Sequence, residues 1–259
     1  MMSMIHKIFC VCCTALLLFL FAGQVAAAGD DDLAEQLLQA SQAYKQGSYA
    51  EAVTHYEDIA AAGISNGSLY YNLGNAYMRA GHPGRALLNY RRAELRMPRN
   101  DDLRSNIQYT LSQARDSIEC RGYAETLRDI CFWYTRMSAP EIFWTAIALN
   151  ALFWLLVLLR FFYRREGLSI GLAIVFFFTS IFVASAAVKN YTVAYMPRGV
   201  VVVPEILVRS GTSINDTVLF KLHEAAEFVW EEERNEWALI SLCDGKKGWA
   251  QAGSIAKVE

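Results

Sequence analysis

IFWTAIALNALFWLLVLL, residues Ile142–Leu159, and LSIGLAIVFFFTSIFVASAAV, residues Leu168–Val188, decide how the rest of the chain is arranged. A helix rises about 1.5 Å per residue, so the first run reaches about 27 Å and the second about 31 Å, and both match a bilayer core. The loop between them carries Arg160, Arg164 and Arg165. That density of positive charge places the loop in the cytoplasm. The outer flanks are sparser, with Arg128 and Arg136 before the first run and Lys189 and Arg198 after the second. We therefore expect spans over 139–160 and 168–188 around a cytoplasmic loop, 161–167. A hairpin of this kind leaves both polar parts of the chain outside the cytoplasm. Ser138, Pro140 and Glu141 read as the start of the first helix, with a capping side chain, a proline tolerated in the first turn and an acid three residues after the cap. Asn150 is the one amide in the first run and reads as a hydrogen bond to the partner span, and neither run holds an ionisable residue that would suggest a transport path. Gly171, Ser180, Ala184 and Ala187 give the second span small surfaces for close packing.

The N-terminus points to the same side. His6 and Lys7 precede the apolar stretch Ile8–Ala22, and Gln24–Ala28 supplies an Ala-x-Ala cleavage pattern. Residues 1–28 thus read as a signal peptide. Without Lys7 the mature chain has 23 Lys+Arg against 26 Asp+Glu, net −3. That is too mild to imply a nucleic-acid partner. Three of the six cysteines lie in the signal, leaving Cys120, Cys131 and Cys243. In an oxidising compartment Cys120 and Cys131 are candidates for a disulfide; the alternative is two free thiols in a linker. Cys243 follows an apolar run and reads as a small buried residue.

The segment before the spans repeats itself. Residues 33–66 and 67–100 align at an offset that pairs Tyr44 with Met78, Gly47 with Gly81, Ala52 with Ala86, Tyr56 with Tyr90 and Ile59 with Ala93. Tyr70, Leu73, Gly74 and Tyr77 share one helical face. Gly74 and Ala86 allow two antiparallel helices to approach closely, Gly81 ends the first and Pro98 limits the second. The period and these positions resemble the tetratricopeptide repeat. The first copy departs at Gln39-Ala40, where Leu-Gly is usual. The third helix, over 101–116, reads as a cap, giving a repeat domain over 33–116. Asn72, Asn75 and Arg79 point away from Tyr70 and Tyr77, and the resemblance implies that such a face lines a peptide-binding groove. A solvated helix face is the plainer alternative. Arg85, Arg91, Arg92, Arg96 and Arg99 make the next helix basic. Such a run reads as a solvated face or as a contact with an acidic partner or lipid headgroups.

A linker, 117–138, carries Phe132, Trp133 and Tyr134 to the headgroup boundary. Beyond the spans, residues 199–259 change to short β-rich runs at 200–203, 206–208, 218–222, 228–230, 237–242 and 248–251, separated by turn residues. Asp244-Gly245-Lys246-Lys247-Gly248-Trp249 and the strands before it resemble a bacterial Src-homology-3-like barrel. The family usually has a glycine after the strand ending at Leu222, where this chain has Glu224-Ala225-Ala226. The resemblance implies binding of wall peptides or protein segments, with Trp230, Trp237 and Trp249 as a candidate surface. Core packing is the alternative, most of all for Trp249.

The fold class expected is a multidomain membrane protein: an all-α repeat domain, a two-helix transmembrane hairpin and a small all-β barrel. The order of the parts resembles the BatE-like proteins of the Bacteroides aerotolerance operon family. That resemblance implies work beside von Willebrand A-type membrane proteins and a MoxR-type ATPase. No phosphate loop, nucleophile elbow or metal-spaced histidine pair stands in the sequence, so neither catalysis nor a cofactor is expected. The function expected is an inner-membrane adaptor facing the periplasm. The alternatives are a sensor that binds peptidoglycan through the barrel and a purely structural assembly subunit.

Overall fold

The computed structural model describes residues 30–116, 131–163 and 165–259. The expected signal peptide, most of the expected linker with Cys120, and Arg164 lie outside them. Eight helices and a seven-stranded antiparallel sheet make up the described residues.

Five helices come first: α1 Asp30–Lys45, α2 Tyr49–Ala61, α3 Gly67–Arg79, α4 Pro83–Arg96 and α5 Asp101–Gln113. Their turns repeat. Gly47 and Gly81 both take positive φ, 83° and 85°, a conformation only glycine adopts without strain. Ser48 N–H then closes on the Ala43 carbonyl and His82 N–H on the Tyr77 carbonyl. The starts repeat as well. Asn66 accepts from Leu69 N–H at 2.7 Å, and Asn100 accepts from Leu103 N–H at 2.8 Å. Each cap fills one of the four orphan donors of its helix. The apolar faces meet in a core that includes Ile59, Leu69, Leu87, Tyr90 and Leu103. Burying each such side chain is worth about 1.5–3 kcal/mol. Gly74 is required there, because a Cβ would lie 2.5 Å from the Tyr90 ring.

The short helix α6, Phe132–Arg136, leads into α7, Ala139–Phe162, and α8, Glu166–Tyr195. Both long helices are long and apolar enough to cross a membrane. Only 11% and 6% of their most apolar windows are buried, so neither is the core helix of a soluble domain. Ser138 and Glu141 form the expected capping box at the start of α7. The second helix outruns the expected span, because nothing between Lys189 and Tyr195 breaks it before Pro197. Lys189 Nζ donates to the Tyr134 carbonyl at 2.9 Å and to that of Met137, and Trp133 Nε1 donates to Ser185 Oγ at 3.3 Å, so α6 is tied to α8. Arg99, just past α4, pairs with Glu141 in the first turn of α7.

The strands are β1 Arg198–Val201, β2 Glu205–Arg209, β3 Val218–His223, β4 Glu227–Arg234, β5 Trp237–Ser241, β6 Lys247–Gln251 and β7 Ile255–Lys257, in the order β3-β2-β6-β5-β4-β1-β7. Two features differ from expectation. Strand β4 continues through the acidic run, because Glu232 and Glu233 pair with Leu239 and Ala238 while their side chains stay in solvent. Strand β7 is only three residues long and holds its place by pairing with β1. Val201, Ile206, Val208, Phe228, Trp230 and Ile240 are among the residues that fill the core of this part.

Candidate functional site

The helical array and the sheet domain meet along helix α4. Arg91 is the centre of the seam. Its side chain is 13% exposed, and its Nε and Nη2 donate to the two carboxylate oxygens of Glu227 at 2.7 and 2.8 Å. Nη1 donates to Glu94 at 2.8 Å. A planar fork on a carboxylate is the strong form of ion pair. Burial pulls the Arg91 pKa down, but Glu227 and Glu94 outweigh it and hold the pKa above the ordinary value.

Around this pair the contacts are complementary. Gly84 N–H, in the first turn of α4, donates to Glu224 Oε1 at 3.0 Å. His82, at the cap position, provides no side-chain acceptor, so the helix start takes its carboxylate from the other domain. Close approach requires the glycine, since a Cβ on residue 84 would lie 2.3 Å from the Val201 carbonyl oxygen. Ala225 takes φ 66° to turn the chain here, next to Glu224. Asp116 accepts from His223 N–H at 2.5 Å and lies 2.8 Å from His223 Nδ1. Arg92 Nη2 donates to the Lys257 carbonyl at 3.2 Å. Val200, Ala225 and Val258 of the sheet domain pack into the helical core.

Beside the seam lies a cleft of about 730 Å³, walled by α2, α3 and α4 and closed at one side by Val202, Ala256 and Glu259. Tyr70 forms part of its floor, with the Arg96 guanidinium 4.8 Å and that of Arg92 5.8 Å from its ring centre. Tyr77 Oη donates to Glu57 and accepts from Arg85 at 3.1 Å. Burial, then the Glu57 carboxylate, pushes the Tyr77 pKa up to about 12. Asn89 is 3% exposed. Its Nδ2 donates to the Arg85 carbonyl at 2.9 Å, but its Oδ1 has no partner, and neither does Arg92 Nε. An unsatisfied buried polar group costs about 1–3 kcal/mol.

The residues singled out from sequence fall in several places. Asn75 Oδ1 accepts from Tyr90 Oη at 2.8 Å and from Asn106 Nδ2 at 2.9 Å, so it joins α3, α4 and α5. Arg79 donates twice to Tyr49 Oη, at 3.1 and 2.8 Å. Asn72 is half-buried and makes no side-chain hydrogen bond among the described residues. Trp230 is a core residue, 6% exposed, stacked near Phe228 and covered by Lys257 Nζ. Trp237 and Trp249 are half-buried on neighbouring strands, on the face opposite Ala238, Ile240 and Ala250. Arg234 lies 5.4 Å over the Trp249 ring. Cys131 is a free thiol; Cys120, the other member of the candidate pair, lies outside the described residues. Cys131 immediately precedes α6, which is held against α8. Cys243 is exposed in the β5–β6 turn and disulfide-bonded, where a buried residue was expected.

Sequence reading missed Gly84, Asp116, His223 and Glu227. The one visible signal was Glu224-Ala225-Ala226, the departure from the usual glycine, which turns out to be a docking loop. The described residues thus form a helical array and an antiparallel sheet, joined through two membrane-length helices and docked on each other. No family model matches the chain, and no curated protein matches it.

Proposed function

We propose that this protein is a membrane-held adaptor: tetratricopeptide-like repeats and a Src-homology-3-like domain act as one rigid body at the outer face of the inner membrane. The observation that carries the reading is the Arg91–Glu227 fork. It joins a residue before the two long helices to one after them, and such a contact needs both soluble parts on the same side. The arginine loop between the helices supports a cytoplasmic turn and therefore a periplasmic body. Holding two interaction modules against the same membrane raises the local concentration of whatever they bind. The resemblance to BatE-like proteins names membrane-anchored von Willebrand A-type proteins as partners. Asn72 and the face around it remain the groove of this reading, with Asn75 bonded within the array and Arg79 exposed against Tyr49.

Two measurements test the proposal. Single cysteines at Ala62 and Asn235 should react with an impermeant reagent from the same face of intact cells; reaction from opposite faces overturns the shared compartment. Photo-crosslinking from position 72 in the same cells should yield a membrane protein partner; no adduct overturns the adaptor. A second reading, a sensor of peptidoglycan, is favoured by Trp237 and Trp249 standing half-buried and diagonal to each other on one face of neighbouring strands. Co-sedimentation of the full chain with purified wall, lost in a Trp237→Ala, Trp249→Ala variant, separates it from the first.

A further inference from the structure

We propose that the cleft beside the seam binds an extended, acidic segment of a partner protein. This deepens the adaptor reading and rests on it, but the site is separate from the Asn72 face. Among the described residues only three buried side-chain polar atoms lack a partner, and two of them, Asn89 Oδ1 and Arg92 Nε, belong to residues that line this cleft. They are an acceptor and a donor one helical turn apart on α4. A peptide unit offers a donor and an acceptor together, so an extended backbone answers both at once, whereas an apolar ligand answers neither. The charges at the rim select the side chain. Arg85, Arg92 and Arg96 face Glu57 and Glu259, three guanidinium groups against two carboxylate side chains. The Arg85 side chain is half-exposed and 3.9 Å from Glu57, too far for a tight pair, which leaves it open to a second acid. Leu73, Leu88 and Tyr70 supply apolar floor for the neighbouring residue. The volume lies within the usual range for a ligand site. Sheet residues Val202 and Ala256 complete the wall, so the cleft exists only while the two domains are docked.

The test uses the full chain in detergent micelles. The probe is a pooled hexapeptide library with Asp or Glu fixed at one position, against the same library with Lys there. Affinity selection should recover the acidic pool about tenfold over the basic one, and Arg85→Glu and Asn89→Leu should each abolish the difference. Asn89→Leu should hold or raise the melting temperature, because it removes the orphan acceptor; should it unfold the chain, Arg85→Glu at a half-exposed position carries the test. Equal recovery of the two pools, or acidic recovery that survives Arg85→Glu, overturns the proposal. If the cleft fails while crosslinking from position 72 still captures a partner, the adaptor reading stands and this site falls.

Discussion

Helices α3 and α4 each present a polar face, and the molecule uses the two differently. On α3, Asn75 turns inward to Tyr90 and Asn106, and the exposed Arg79 donates to Tyr49, so both contacts stay within the array. On α4, Arg91 and Arg92 reach outward to a domain more than a hundred residues away. Residue type and spacing look alike in the two cases. The difference lies in burial. Arg91 is desolvated, and its partner must be a charge; Arg79 is exposed and needs none. A polar stripe on a repeat helix therefore says which way the face looks, and the opposing surface says what it is for.

The sharpest way to break this comparison is Arg91→Ala. Removing one partner of a buried pair strands the other, so docking of the sheet domain should weaken by about 3–5 kcal/mol. Amide exchange at Val200 and its β1 neighbours should accelerate strongly while α3 stays protected. Unchanged exchange at β1 would refute the seam. Gly84→Ala comes next. Its methyl group meets the Val201 carbonyl, and forcing the backbones apart should cost about 1–3 kcal/mol, seen as protease sensitivity between the domains rather than within them. Asn75→Ala should act inside the array instead, lowering its stability by about 1–2 kcal/mol by leaving Tyr90 Oη without its acceptor. Asn72→Ala should leave thermal stability unchanged, and equal losses at 72 and 75 would erase the distinction between groove and scaffold. The smallest effect is alkaline. Tyr77 has its pKa raised from 10.0 to about 12 in the folded chain. The neutral phenol is favoured in the fold, so this contribution is full below pH 10 and is lost as pH rises towards 12. Burial also raises Tyr44, Tyr56 and Tyr90, so tyrosinate absorbance should show several late-titrating groups, of which Tyr77→Phe removes one.

The long apolar helices and the repeated helical turns were legible in sequence because they rest on local chemistry. Apolar length, glycine at positive φ and a cap residue before each helix are read within a few neighbours. Six strands were legible for the same reason. The seam was not. Asp116, Glu224 and Glu227 meet Gly84, Arg91 and His223 across the hairpin, and no local pattern couples them. Trp230 was misplaced among surface residues, since alternation along β4 decides its side only once the strand's register with β5 is known. Strand β7 escaped because three residues carry too little pattern to stand out from a terminal tail.

The contact between Arg99 and Glu141 reaches further than its exposure suggests. Glu141 is at once the acid of the capping box and the partner of Arg99, so a membrane-length helix and the helical array share one residue. In the proposed adaptor a tether this short would fix altitude: whatever the body grasps would have to present itself within one domain's height of the bilayer, which would favour clients that are themselves embedded over those that diffuse freely.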